Sequence, residues 1–382
     1  MTRFPLVLCC AILVANGRSF SQTTSAQTKG SGPVGFVYVS GSNDNQNQID
    51  VLAAAPDGSL TMVSDLPTDS GLKSITANSN FVFGTDDVYI YSYAIGPDGG
   101  LAAASLINAQ QFNDDKCGGP VAVFLDRSGA SLYDADFYGN ICANGTYQYF
   151  NFDQLGELGY AGVSEASVDF YVPLSFTGNN RYGYGATSLM MAPGIFGLER
   201  KDDGTLSVLP INPPMPDAQS GQFYLPTFTS TDGANHIATS VQAFDSDSWQ
   251  PIGVPQLAIY SADKNGKLST TSTYLNMPGT MVGSVTDLKI SPSGNLLAVG
   301  GSMGLQVFQL NGANPMKPFT RLLTRSAIDQ VAWDNDNHLY AISSGLGKLF
   351  AFMENPASPG LRPALGSPYS TTKPLSLTVV SK

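Results

Sequence analysis

The chain has 382 residues, of which 13% are charged, with 40 Gly, 24 Pro and a formal net charge of −11. This turn-rich composition excludes a helical bundle, and no long stretch carries helical periodicity with caps at both ends. The acidic balance excludes a general nucleic-acid or anionic-membrane surface.

The N-terminus reads as an export signal over residues 1–21. Arg3 supplies the positive start, and Phe4–Ala15 is an apolar stretch too short to span a bilayer. Small residues then offer cleavage sites at Ala15-Asn16-Gly17 or Ser19-Phe20-Ser21. Residues 22–33 form a disordered lead-in, and 34–382 read as one domain with no membrane span. The expected location is secreted or periplasmic. Past the signal only Cys117 and Cys142 remain. In an exported chain they are expected to form one disulfide, with two separate thiols as the alternative. Asn144-Gly145-Thr146 is a glycosylation sequon, read as a chance match outside a glycosylating host.

From there a two-beat repeat runs through the chain. One beat is a Gly-centred turn followed by Leu: PDGSL at 56–60, PDGGL at 97–101, QLGEL at 154–158, DDGTL at 202–206 and KNGKL at 264–268. The other is strand, tight turn, strand, as in DLKISPSGNLLAVGG at 287–301. Four short strands per repeat predict an all-β, seven-bladed β-propeller. The Asp-Gly pairs read as turns, since Gly accepts positive φ.

Lettering strands A to D outward from the central channel, the first blade is predicted as Leu60–Ser64, Leu72–Asn78, Phe81–Asp86 and Val88–Ile95. The second has A from Leu101, then Pro120–Asp126, Ala130–Phe137 and Thr146–Asp153. The third has B to D at Ser167–Phe176, Arg181–Ser188 and Gly194–Lys201. The fourth takes Leu206–Ile211, Phe223–Ser230, His236–Gln242 and Pro255–Ala262. The fifth takes Leu268–Leu275, Val285–Ser291, Leu296–Ser302 and Gly304–Leu310, and the sixth Phe319–Arg325, Ile328–Asp334, Leu339–Ser344 and Lys348–Glu354. Residues 361–369 and 375–382 then supply strands A and B of a seventh blade, with 35–41 and 48–55 as its C and D. That blade latches the two termini and removes the open edges of an unclosed ring.

Loop length separates two faces. Long connections at Val63–Lys73, Asn108–Gly119, Asn212–Gln222 and Phe244–Val254 are read as A-to-B and C-to-D loops on one face. Long loops on a rigid scaffold carry function, so the candidate site is the channel mouth on that face. Cys117 and Cys142 fall in two such loops of the second blade.

SPSGNLLAVGG, LDRSGASLYDADF, the Gly-x-Leu beats and the terminal GSPYS resemble the lactonase-type seven-bladed propellers. That family includes 6-phosphogluconolactonase and carboxymuconate cyclase-like proteins and is related to YVTN-repeat propellers. The resemblance implies a small lactone as substrate and carboxylic-ester hydrolysis at the channel mouth. It also implies a Gly-Pro-Arg-His segment entering a B strand, with a Glu after the next strand. In this chain Gly119 and Pro120 fit that segment, Val121 and Ala122 stand where Arg and His would be, and Asp136 falls near the Glu.

The residues placed at the mouth are Arg321 and Arg325 on the sixth A strand, Lys73 at the start of the first B strand, and Glu165 and Asp329 close by. A small anionic ligand bridging Arg325 and Lys73, with Glu165 or Asp329 as base, is one reading; ordinary ion pairing is the other. His236 and His338 read as exposed turn residues on the opposite face. Asp114-Asp115 and Asp245-x-Asp247 read as solvated loops, and neither a metal nor a cofactor is expected. Tyr182–Tyr184 read as packing between blades, whereas Trp249, in a loop, has the better claim to ligand contact. The second functional class is a non-catalytic exported propeller, monomeric, that binds a protein or carbohydrate on its long-loop face.

Overall fold

A computed structural model describes residues 32–43, 46–112, 119–137, 146–164, 172–187, 194–210, 213–355 and 359–382. The export signal, most of the lead-in, both cysteines, the Asn-Gly of the sequon, Asp114-Asp115 and Glu165 lie outside these residues. The described chain is a ring of seven sheets. Its first strands, β1 (Gly35–Asn43), β2 (Gln46–Ala54) and β3 (Leu60–Pro67), belong to the closing blade. Blade 1 follows as β4 (Ser74–Ala77), β5 (Phe81–Thr85), β6 (Tyr89–Ile95) and β7 (Leu101–Asn108). Blade 2 is β8 (Gly119–Leu125), β9 (Leu132–Phe137), β10 (Thr146–Phe152) and β11 (Leu158–Val163). Blade 3 is β12 (Ser175–Phe176), β13 (Tyr182–Thr187), β14 (Gly194–Arg200) and β15 (Leu206–Val208). Blade 4 is β16 (Gln222–Thr231), β17 (His236–Asp245), β18 (Pro251–Ala262) and β19 (Leu268–Thr270). Blade 5 is β20 (Val285–Ile290), β21 (Leu296–Gly301), β22 (Gly304–Asn311) and β23 (Asn314–Pro318). Blade 6 is β24 (Gln330–Trp333), β25 (Leu339–Ser343), β26 (Lys348–Glu354) and β27 (Leu361–Pro363), with β28 (Tyr369–Ser370) paired onto β26. Finally β29 (Pro374–Ser381) pairs with β1 and makes blade 7, order β29-β1-β2-β3.

The seven-blade count and the terminal latch are as the repeat predicts: Val37 pairs directly with Val379. The phase of the strands within each blade is not. Leu60–Ser64, predicted as an innermost strand, begins β3, the outermost strand of blade 7. The same one-strand shift holds at Leu101, Leu206, Leu268 and Leu361, each of which begins an outermost strand, so blade 7 takes one strand from the C-terminus and three from the N-terminus. The reason is the width of a blade. A two-residue Asp-Gly turn joins only antiparallel neighbours. Passing from the outer edge of one blade to the channel edge of the next crosses three inter-strand spacings of about 4.8 Å, roughly 14 Å. The Gly-x-Leu beats therefore close the two outer strands of one blade. The long loops make the crossing between blades, and the short-turn and long-loop faces stand as predicted, although their loops join other strand pairs than those assigned.

The core is seven separate seams, one hydrophobic cluster between each pair of neighbouring blades. Tyr182, Ile195, Tyr224 and Tyr260 fill the seam between blades 3 and 4, and Val37, Leu52, Tyr340 and Leu349 the one that closes the ring. The beat glycines serve these seams as well as the turns. Gly99 has φ +88°, and a Cβ there would sit 2.3 Å from the ring of Phe36 in the preceding blade.

Candidate active site

The seven innermost strands, β29, β4, β8, β12, β16, β20 and β24, each run from the long-loop face to the short-turn face. They enclose a channel of 560 Å³. Several of their seams share one device. A side-chain acceptor on one inner strand takes the backbone N–H of the next blade's inner strand. Ser376 Oγ accepts from Ile75 at 3.0 Å and Ser74 Oγ from Val123 at 3.1 Å. Gln330 Oε1 accepts from Leu377 at 2.7 Å, and Asp287 Oδ2 from Val331 at 3.0 Å. Of these four acceptors only Asp287 is ionisable.

Asp287 is buried, and loss of hydration raises its carboxyl above the usual carboxylate range, against the opposing pull of Lys289. Its Oδ1 accepts the N–H of Leu288 at 2.9 Å and lies 3.7 Å from Lys289 Nζ. Strand periodicity puts Asp287 and Lys289 on the same side of β20, two residues apart. Both line the channel, and the Lys289 side chain is about half exposed. Hydroxyls and an amide make up much of the remaining polar wall, from Thr76, Ser175, Thr229, Thr286, Gln330 and Thr378. Among the described lining residues there is no Arg, His or Glu.

Two of the sequence-predicted residues reach this wall. Lys73 stands at the mouth, exposed and ion-paired with Asp87. Asp329 stands at the mouth one residue before β24 and accepts the N–H of Ser344 at 2.6 Å. Arg325 lies in the 319–329 connection rather than on an inner strand, exposed and not among the channel-lining residues; Arg321 shares that connection. The strand predicted at Phe319–Arg325 does not form: the outer strand of blade 5 ends at Pro318, and both arginines fall in the crossing that follows it. Val121 and Ala122 do line the channel, so the departure from the Arg-His pair falls on the channel wall itself. Asp136 and its neighbour Asp134 are buried inside blade 2. There Gln148 Nε2 donates to Asp136 at 2.6 Å and Gln148 N to Asp134 at 3.1 Å. Burial, then the charge of Asp136, raises Asp134 well above its ordinary value.

The histidines sit on the short-turn face as expected, but His338 is not exposed. It is 4% accessible, with Nδ1 2.7 Å from Asp334 Oδ2, and Tyr340 donates to the same oxygen at 2.9 Å. His236 is half-buried and pairs likewise with Asp232 at 2.6 Å. Each turn has the spacing Asp-x-x-x-His, and the ring serves the carboxylate that organises the turn. Asp245 is also a turn organiser, accepting from Asp247, Ser248 N and Ser248 Oγ.

The Asp287–Lys289 pair went unrecognised in sequence because it lies within the repeat beat. Its signal is a charged i, i+2 pair, with apolar Leu288 between its members and apolar Ile290 after it.

No protein-family model matches the chain, and no curated protein matches it at a significant level. Solved structures do. The periplasmic gluconolactonase of Pseudomonas aeruginosa is 16% identical with a TM-score of 0.66, over 91% of this chain and 99% of that one. A candidate 6-phosphogluconolactonase of Bacteroides fragilis is 13% identical with a TM-score of 0.62, over 91% and 98%. A hypothetical selenium-binding protein of Sulfolobus tokodaii is 10% identical with a TM-score of 0.61, over 92% of each chain. At such identities the likeness is one of fold, and this fold hosts differently described proteins.

Proposed function

We propose that the channel hydrolyses an uncharged, hydroxyl-rich lactone. The observation that carries this reading is the Asp287–Lys289 pair on one inner strand of a channel otherwise rich in hydroxyls. Asp287, made more basic by burial, takes a proton from water as the water oxygen bonds to the lactone carbonyl carbon. Lys289 donates to the carbonyl oxygen while negative charge builds there. Collapse of the tetrahedral intermediate breaks the ring C–O bond, and the proton on Asp287 passes to the departing alkoxide. The product is the open-chain hydroxy acid. Lys73 and Asp329 receive the ring at the mouth.

Charge balance favours an uncharged ring over a phosphorylated one. Of the described lining residues, Lys73 is matched by Asp87 and Lys289 by Asp287, which leaves no guanidinium or unmatched ammonium for a phosphate dianion. The fold likeness to a protein described as a gluconolactonase supports the reaction class. The export signal expected in residues 1–21 supports a site of action outside the cytoplasm.

Proton release from glucono-δ-lactone and from its 6-phosphate, measured above the spontaneous rates, tests this. The unphosphorylated lactone is expected to react faster. Asp287→Asn is expected to lower kcat about 100-fold. Its melting temperature is expected to fall by a few degrees, because the amide leaves one of the two backbone N–H groups bound by the carboxylate without an acceptor. A rate no greater than the spontaneous one, or one untouched by both Asp287→Asn and Lys289→Ala, contradicts the reading.

A further inference from the structure

Blade 4 has long strands: β16 and β17 have 10 residues each and β18 has 12, against 4 to 8 in the strands of blades 1 and 5. The added length lies on the long-loop face. The channel wall takes Thr227–Thr229 of β16, so Gln222–Pro226 run on past it by roughly 17 Å. The β17–β18 turn at the end of this extension reads Asp-Ser-Asp-Ser-Trp-Gln over 245–250.

Trp249 in this turn has φ +57°, in the left-handed region where Gly or Asn fits without steric cost and a bulky aromatic is an outlier. The turn is built to hold it there. Trp249 N donates to Asp245 O at 2.9 Å while the Asp245 carboxylate gathers the intervening residues. Phe223 meets the indole edge-on, with centroids 4.9 Å apart at 62°, and Phe244 stacks behind Phe223 at 5.8 Å. Braced in this way, the indole remains 45% exposed. Around it stand the exposed side chains of Ser246, Asp247, Ser248 and Gln250.

A rigid flat apolar face ringed by hydroxyl, carboxylate and amide groups matches a pyranose, whose C–H face covers the indole while its hydroxyls bond the rim. The rim holds no cation, and the chain is strongly acidic, so phosphate, nucleic acid and anionic lipid are disfavoured there. We infer that the Trp249 turn binds a neutral saccharide chain at a site separate from the channel. This inference does not rest on lactone hydrolysis.

Calorimetric titration of the intact protein with neutral hexasaccharides of glucose, xylose, mannose and N-acetylglucosamine tests it. At least one is expected to bind. Trp249→Phe is expected to stay within about threefold of that affinity, and Trp249→Ala to lose about tenfold or more with an unchanged melting temperature. Absence of binding to all four overturns the inference, as does Trp249→Ala binding as tightly as the parent. Trp249-dependent adsorption to phosphatidylglycerol vesicles without saccharide binding also overturns it.

Discussion

The phenolic hydroxyl of Tyr184 donates to the backbone carbonyl of Gly266, 2.7 Å away across the seam between blades 3 and 4. The contact recurs at Tyr133 to Gly204 at 2.6 Å and Tyr38 to Gly99 at 3.0 Å. In each, a buried tyrosine on the second strand of one blade anchors the outer turn of the next. The glycine beat therefore supplies a positive φ, a surface without a Cβ and an accepting carbonyl at one position.

Tyr184→Phe removes only the hydroxyl and is expected to cost about 1 kcal/mol. Gly266→Ala should cost more, about 2–4 kcal/mol, because φ is +78° and the new methyl would lie 2.7 Å from the Tyr182 ring. Urea midpoints of the two variants, at unchanged slope, check the order.

Deleting residues 374–382 removes β29, the channel-edge strand of blade 7. Nine residues at a terminus are ordinarily tolerated. Here the loss strips β1 of its pairing, leaves Ile75 N–H without the Ser376 hydroxyl, and opens an inner seam. The deleted chain is expected to lose cooperative unfolding, read by calorimetry. A sharp transition within a few degrees of the parent would refute the latch.

The His338 ring should impose a pH dependence on stability. Burial acts against its protonated form, but the hydrogen bond and charge of Asp334 outweigh burial and raise its value above that of a free histidine. A raised folded value means the folded chain holds the proton more tightly than the unfolded one. The added stability is complete below about pH 6.5, the unfolded value, and is lost as pH rises through the folded value. Denaturation midpoints measured from about pH 5 to 9 should fall across that window in the parent. They should flatten in His338→Gln.

Strand identity, blade count and the meeting of the termini were legible because alternation and turn chemistry are local. Blade phase is not local. It depends on which connections are long enough to cross a blade. Arg321 and Arg325 were misplaced for a different reason: the strand read at Phe319–Arg325 is itself a crossing, and the outer strand ends at Pro318. Lys73 and Asp329 were placed at the mouth because the shift changes a strand's distance from the channel and leaves the face on which it begins unchanged. Asp287 and Lys289 were missed because a seam acceptor is defined by its partner in the next blade, here the Val331 N–H some 44 residues along the chain. His338 looked exposed because a turn residue ordinarily is; the Asp334 carboxylate and the adjoining turn of blade 7 bury it.

The most direct test of channel hydrolysis is a crystal structure with the open-chain product, gluconate, diffused in. The product carboxylate is expected in the channel within hydrogen-bond reach of Lys289 Nζ, with the Asp287 carboxyl on its other side and the hydroxylated carbons toward the mouth. Gluconate bound only outside the channel, or an unoccupied channel at saturating gluconate, would contradict the account.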